Sequence, residues 1–401
     1  MPSSISHSDA HKAEVRGLRE GALPPGLRQT AANRPGQAQP VPTRDIPLKP
    51  WARIGTFVFL AVALLTAGWE WTARTRLGLR AGDVDDSPQA WAEARRAADA
   101  APVAIVGDSR ILFDTDQDRF EAMTGARPVQ VSFVGTNSRT LLEHFANDPN
   151  FHGLLIVGMA DTMYFGMPVI GLGGDGVHNY RKYDKPAQLT GLWIDRWLQK
   201  YFAFMDADYR LSRWAPRFDN GWRKGVDSPY EDVWKIGEVF PGRQYFMWDR
   251  IETDSYLQGH ARHAWDGFKG PNIPPQLANK VIARSAEAVR RIRARGGDVI
   301  FIRPPSAPEL RINEQKRIPR KLGWDRLLVG ANAKGIHTDD LPQAQNLVLP
   351  EWSHLSRKCA AVFTDAYVRR LVELTPRLKL RADAPPPLSR ADCVPQNIAS
   401  L

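Results

Sequence analysis

A chain of 401 residues with 43% apolar and 24% charged content can bury one large core or two modest ones, so a globular protein with additions is expected. The net charge of +10 is spread along the chain without a block of five or six basic residues. That argues against a dedicated nucleic-acid arm and fits an acidic polymer or an anionic membrane surface only loosely, and no nucleic-acid partner is expected.

Residues 1–53 have no periodic apolar pattern, and ten of the thirty residues from Gly21 to Pro50 are Pro or Gly, which predicts a disordered leader. From Ile54 to Gly68 the chain is uncharged and mostly apolar, bracketed by Trp51, Trp69 and Trp71. A spanning helix needs about 20 residues, so the stretch predicts a transmembrane anchor over 54–73 with Glu70 near the headgroups. A buried helix of a soluble domain and a cleaved signal peptide are the alternatives, but no polar face meets water and no clear Ala-x-Ala site follows. The leader carries eight Lys or Arg against four acids, with Arg74, Arg76 and Arg80 on the other side, a mild bias toward a cytoplasmic leader and an extracytoplasmic body.

After a polar connector with a short helix near 88–99, the rhythm becomes strand, helix, strand, helix. Strands are predicted at 103–106, 129–134, 154–157, 299–302 and 335–338. Helices are predicted at 117–124, 138–145, 275–295, 324–333 and 356–374. The pattern is that of an α/β domain with a parallel sheet, split into residues 80–161 and 275–377, with a Pro-rich tail at 378–401. Between the halves, residues 162–274 do not fit the repeat and hold seven of the thirteen Trp residues (193, 197, 214, 222, 234, 248 and 265). An insert that long carries structure or function of its own. Its rings either build a small core, with 192–214 helical, or serve sugar stacking or docking on the membrane or a membrane partner.

The short apolar run Val103–Val106 reads as a strand buried on both faces, and Gly107 frees the abrupt turn that leaves Ser109 at the carboxyl end of a central strand. In open α/β sheets that edge is where ligands bind. Far along the chain, Glu351 and His354 stand three residues apart after the last strand and before the last helix. Gly107-Asp108-Ser109 and Glu351-x-x-His354 together resemble the opening and closing blocks of the SGNH (GDSL-like) esterase and acyltransferase superfamily, with Glu where the family has Asp. The resemblance covers residues 102 to about 375 apart from the insert. It implies a flavodoxin-like three-layer α/β/α sandwich and acyl transfer through a covalent ester on Ser109. His354 would be the base and Glu351 its orienting acid, while Asp108 would bond backbone amides around its turn.

The same likeness implies an oxyanion hole from the amides of Ser109 and Gly135. Its third block should read Gly-x-Asn-Asp, and here the chain reads Gly158-Met159-Ala160-Asp161. Either Asn137 replaces the missing donor, or Asn137 is a turn residue and the hole is weaker. Arg303 and Arg110 are candidates to clamp an anionic group, or to pair with acids such as Glu309 or Asp161. No paired-Cys motif, His-Glu-x-x-His or phosphate loop is present, the glycines at 171–176 reading as a flexible loop, so neither metal nor cofactor is expected. Cys359 and Cys393 either form one disulfide pinning the tail or stay apart. In membrane-tethered bacterial proteins of this kind the relatives add or remove acetyl groups on exopolysaccharide or cell-wall glycans. The expected function is therefore a periplasmic-facing, single-pass inner-membrane esterase or O-acetyltransferase, working beside a membrane acyltransferase or polysaccharide synthase. A catalytically inactive glycan-binding or assembly subunit is the alternative.

Overall fold

Val103, Ala104, Ile105 and Val106 are completely shielded from solvent, as an apolar run without alternation requires of a strand covered on both faces. They form β1 (Val103–Val106). The structure is a computed structural model that describes residues 49–84, 86–166, 176–178, 180–183, 185–210, 235–265 and 269–394. The leader before residue 49, the loop at 171–175, Trp214, Trp222 and Trp234, and the chain after 394 lie outside the described residues.

The chain divides into residues 1–64 and residues 65–401. In the first unit the described residues open an apolar helix, Trp51–Thr75, whose later turns belong to the second unit. Its 25 residues rise roughly 37 Å, and its most apolar 18 residues have a mean hydropathy of 1.6 with none buried, so by length and composition it can cross a membrane.

In the second unit, β1, β2 (Val129–Gln130), β3 (Leu154–Gly158), β6 (Asp298–Arg303) and β7 (Lys334–His337) form a parallel sheet in the order β2-β1-β3-β6-β7. The intervening β4 (Gly237–Phe240) and β5 (Gln244–Met247) pair with each other as an antiparallel hairpin. In this doubly wound order the winding reverses between β1 and β3, so the loops leaving their carboxyl ends part and open a crevice.

Alternate residues feed two cores. Ala104, Val106, Leu155, Val157 and Phe301 pack under the helices Ser138–Asn147, Pro275–Ala294 and Trp324–Gly330, against Leu141, Phe145, Val289 and Leu327. Val103, Ile105, Ile156, Ile300 and Ile302 pack under the helices Gln117–Thr124 and Arg357–Leu374, against Phe120, Met123, Phe363 and Tyr367. One core on each face makes three layers.

Three expected elements are clearly shorter, the helix expected at 324–333 ending at Gly330. β2 stops at Gln130 although Val131 and Phe133 still bond to the carbonyls of Ile105 and Gly107 at 2.8 and 3.1 Å. Among the described residues its outer edge has no strand partner; the Arg243 guanidinium donates to the carbonyls of Gln130 and Ser132 at 2.7 and 3.0 Å instead. In the insert, the helix expected at 192–214 runs Pro186–Gln199. Beyond it the chain turns away, because the amides of Ala203 and Phe204 are taken by the Glu70 carboxylate at 3.0 Å each.

The Pro-rich end packs on the domain as far as Val394 instead of trailing from it. Cys359 and Cys393 form a disulfide across a sequence separation of 34, and Leu388 donates its amide to Asp365. Closing a loop of that length restricts the unfolded chain by about 3–4 kcal/mol in the chain-entropy account. Cys393→Ser is expected to lower unfolding stability by that amount, read by denaturant unfolding followed through tryptophan fluorescence.

Candidate active site

The turn after β1 is shaped by two constraints. A Cβ on Gly107 would lie 2.2 Å from Ile111 Cγ2 and 2.8 Å from the Gly158 carbonyl oxygen, so only glycine fits. Asp108 then caps the short helix Ser109–Phe113, accepting the Arg110 amide at 3.0 Å with one carboxylate oxygen and the Ala160 amide at 2.6 Å with the other. Burial pushes the Asp108 carboxyl up, and the Arg110 charge and these two amides pull against it. Asp108 thus stitches the β1 loop to the β3 loop across the crevice, and Ser109 opens a helix at its rim.

The second half of the site comes from the turn before the last helix. Trp352 holds a left-handed φ of 80°, fixed by bonds from its amide to Leu349 O at 3.1 Å and from the Ala307 amide to its carbonyl at 2.9 Å. A bulky residue in that region carries strain, which concentrates at functional sites. Just beyond, one Glu351 oxygen accepts the His354 amide at 2.6 Å and its Nδ1 at 2.9 Å. The other accepts Trp265 Nε1 at 2.7 Å. Both Glu351 and His354 are buried, and the imidazole stacks on Phe113 at 4.4 Å with the Trp265 ring edge-on at 5.5 Å. A carboxylate only accepts, so Nδ1 carries the hydrogen and Nε2 keeps its lone pair. His354 Nε2 is buried without a hydrogen-bond partner among the described residues. The Leu355 amide, donated to Asp114 at 2.9 Å, ties this turn back to the β1 side. Burial pushes Asp114 well above the usual carboxylate range.

Ser109, Gly135, Ala160 and His354 line one cavity of about 700 Å³. Its walls include Phe113, Met163 and Val239, and its polar patch is Lys235 with Asp83 and Asp206. Lys235 pairs with both acids, at 2.6 Å to Asp206. Burial pushes Asp83 up to about 7 against the pull of Lys235. The polar wall is thus built from the connector and the insert, which the sequence offers only as a linker and an aromatic-rich interruption.

The expected residues separate into two groups. Ser109 and His354 line the same cavity without a hydrogen bond between them, Glu351 bonds His354 from outside the lining, and Gly135, with φ 61°, presents its backbone to that cavity. The amides of Ser109 and Gly135 donate to no described residue, whereas the Ala160 amide is spent on Asp108. Asn137 is placed elsewhere. Its carboxamide oxygen caps the helix Ser138–Asn147, accepting the Thr140 amide and hydroxyl at 3.2 Å each, and it does not line the cavity. This is the turn role of the two expected for Asn137, an N-cap made through its oxygen.

Arg303 is also withdrawn from the cavity. It bonds Asp161 at 3.1 Å, Ser306 at 3.1 Å and Glu314, so of its two expected roles the pairing with Asp161 is the one present, and the clamp on an anionic group is not. Arg110 does line the cavity, but its Nε donates to Ser353 at 3.2 Å and Nη2 pairs with Glu314 at 2.5 Å. Burial pushes Glu314 up, and the flanking Arg110 and Arg303 more than offset this, holding it down at about 2. A depressed carboxyl contributes stability that is complete above its ordinary value of 4.5 and is lost as pH falls toward 2. Glu314→Ala takes the ion-pair partner from the buried Arg110 and leaves Arg303 with Asp161 alone; it is expected to cost about 3–5 kcal/mol, and to flatten the acid limb of a stability–pH curve measured by thermal unfolding.

Among the described residues no cluster of His, Cys, Asp or Glu is arranged to hold a metal ion. Trp265 and Glu314 are the site residues that sequence reasoning passes over: Trp265 counts only as one ring among seven, and Glu314 sits on the helix Pro308–Arg317 among other charges with no motif around it. Compared with protein-family models, with curated proteins and with solved structures, the chain matches none.

Proposed function

We propose that this protein is a membrane-anchored serine esterase or O-acetyltransferase of the SGNH type, acting on ester-linked acyl groups of an extracytoplasmic glycan. The observation that carries the reading is Ser109 and His354 lining one cavity, with His354 Nδ1 held by a buried Glu351. In the proposed reaction, Ser109 Oγ attacks the ester carbonyl while His354 Nε2 takes its proton. The amides of Ser109 and Gly135 receive the oxyanion, each worth about 3 kcal/mol in the transition state. The C–O bond to the leaving alcohol then breaks as His354 returns the proton, leaving an acyl ester on Ser109. Water or a sugar hydroxyl, deprotonated by His354, takes the acyl group and regenerates the serine.

The cavity's size suits a monosaccharide unit with a short acyl group. Carboxylates, an ammonium and aromatic rings such as Tyr245 on its walls suit hydroxyl-rich ligands. The disulfide fits an oxidising compartment, and with the apolar helix supports a single-pass inner-membrane protein whose body lies outside the cytoplasm, near a membrane acyltransferase or polysaccharide synthase.

One observation favours a second reading, an inactive glycan-binding or assembly subunit: Ala160 offers neither a side-chain donor nor a free amide where the resemblance calls for Asn. The two are separated by Ser109→Ala in the host. The enzyme reading expects altered acetyl content of surface glycans together with loss of ester hydrolysis by the purified chain, and unchanged values for both overturn it.

A further inference from the structure

The helix Pro186–Gln199 leaves a row of large apolar side chains uncovered at four-residue spacing. Leu189, Trp193 and Trp197 are 40%, 68% and 53% exposed, Tyr201 just past the helix is 50% exposed, and Ile194 beside them is 44% exposed. Residues four apart share one helix face, so this is a continuous stripe. None of the five lines the cavity, so the stripe is separate from the site described above.

The location of the stripe points to its partner. Glu70, on the apolar helix Trp51–Thr75, accepts the amides of Ala203 and Phe204 at 3.0 Å each, and Arg74 donates to the Tyr201 carbonyl at 3.1 Å. Glu70 and Arg74 also pair with each other at 2.5 Å, beside the exposed rings of Trp69 and Trp71. Charged residues flanked by tryptophans mark the level at which a spanning helix leaves the hydrocarbon and enters the headgroups. The stripe ends at that level, because Tyr201 itself is bonded there. Exposed Lys185 and Lys200 at the two ends of the helix add the charge that anionic headgroups attract.

We infer that the helix Pro186–Gln199 lies in the membrane interface, with Leu189, Trp193, Ile194 and Trp197 in the lipid surface. The inference rests on the reading of Trp51–Thr75 as a membrane span. It gives the domain a second hold on the bilayer. It also fixes the cavity's height above the membrane, since Asp206, one residue after the bonded turn Ala203–Met205, already lines the cavity.

The test uses the full chain in lipid nanodiscs containing anionic lipid, carrying a nitroxide at one introduced cysteine in each of Trp193→Cys, Trp197→Cys, Phe57→Cys and Val329→Cys. Collisions with oxygen and with a water-soluble nickel chelate report lipid and water. All four side chains are exposed, so the labels do not disturb a core. Nickel collisions lost at 193 and 197, as at 57 and unlike 329, support the inference. Labels at 193 and 197 that report water like 329 while 57 reports lipid overturn it and leave the anchor standing. Water at 57 as well removes both. Spin–spin broadening at 193 or 197 without lipid contact indicates a second copy on the stripe and also overturns it.

Discussion

Ser109→Ala and His354→Ala are each expected to lower ester turnover by about 10⁵–10⁶-fold, and the double variant to be no slower than either alone. In the proposed reaction the serine hydroxyl reacts only while a base removes its proton, so the two side chains would act as a unit and losing one would waste the other. His354 is suited to that part because its Nδ1 is committed to Glu351 and its buried Nε2 has no hydrogen-bond partner among the described residues. The residual rate would report the two backbone amides of the proposed oxyanion site, which both substitutions leave in place. Initial rates on a small acetyl ester, with thermal unfolding as the control for folding, check this. Multiplicative losses in the double variant would mean that Ser109 and His354 do not work together.

Glu351→Gln is expected to lower turnover by about 10²–10⁴-fold. Three donors converge on this carboxylate: the His354 amide, His354 Nδ1 and Trp265 Nε1. Glutamine has one accepting oxygen, so either orientation sets its NH₂ against a donor. If the NH₂ faces His354, the ring must give up its Nδ1 hydrogen to accept, which places the proton on Nε2 and removes the base. Trp265→Phe keeps a ring against His354 and deletes a single donor, so a loss of about tenfold or less is expected. A positioning role predicts that the pH–rate profile of the Trp265→Phe variant shifts while its unfolding temperature changes little; a purely structural role predicts the reverse.

The sequence exposes whatever depends on local chemistry. Four shielded residues followed by an obligatory glycine place Ser109 at a strand end. The three-residue interval between Glu351 and His354 is short enough for the carboxylate to bond its partner's amide and ring together. Position before the last helix makes that interval meaningful. The N-cap at Asn137 is also local, made with the helix it precedes. Pairing across the insert is different in kind. Trp265 meets Glu351 across 86 residues, and Glu314 meets Arg110 from the other side of the insert, through a fold that must already exist. Nothing in the spacing of single charges or rings encodes such contacts. The β4–β5 hairpin turns at Pro241-Gly242, a turn signal between two apolar runs, but only an assembled sheet reveals that its Arg243 replaces a strand at the edge of β2.

The central claim is an activated serine at Ser109. Exposing the purified full chain to a fluorophosphonate and weighing it intact tests this most directly, with Ser109→Ala and His354→Ala beside it. One covalent adduct on Ser109 in the native chain, absent from both variants, is the predicted result. A folded native chain that gains no mass, or that is labelled equally well without Ser109, would contradict it.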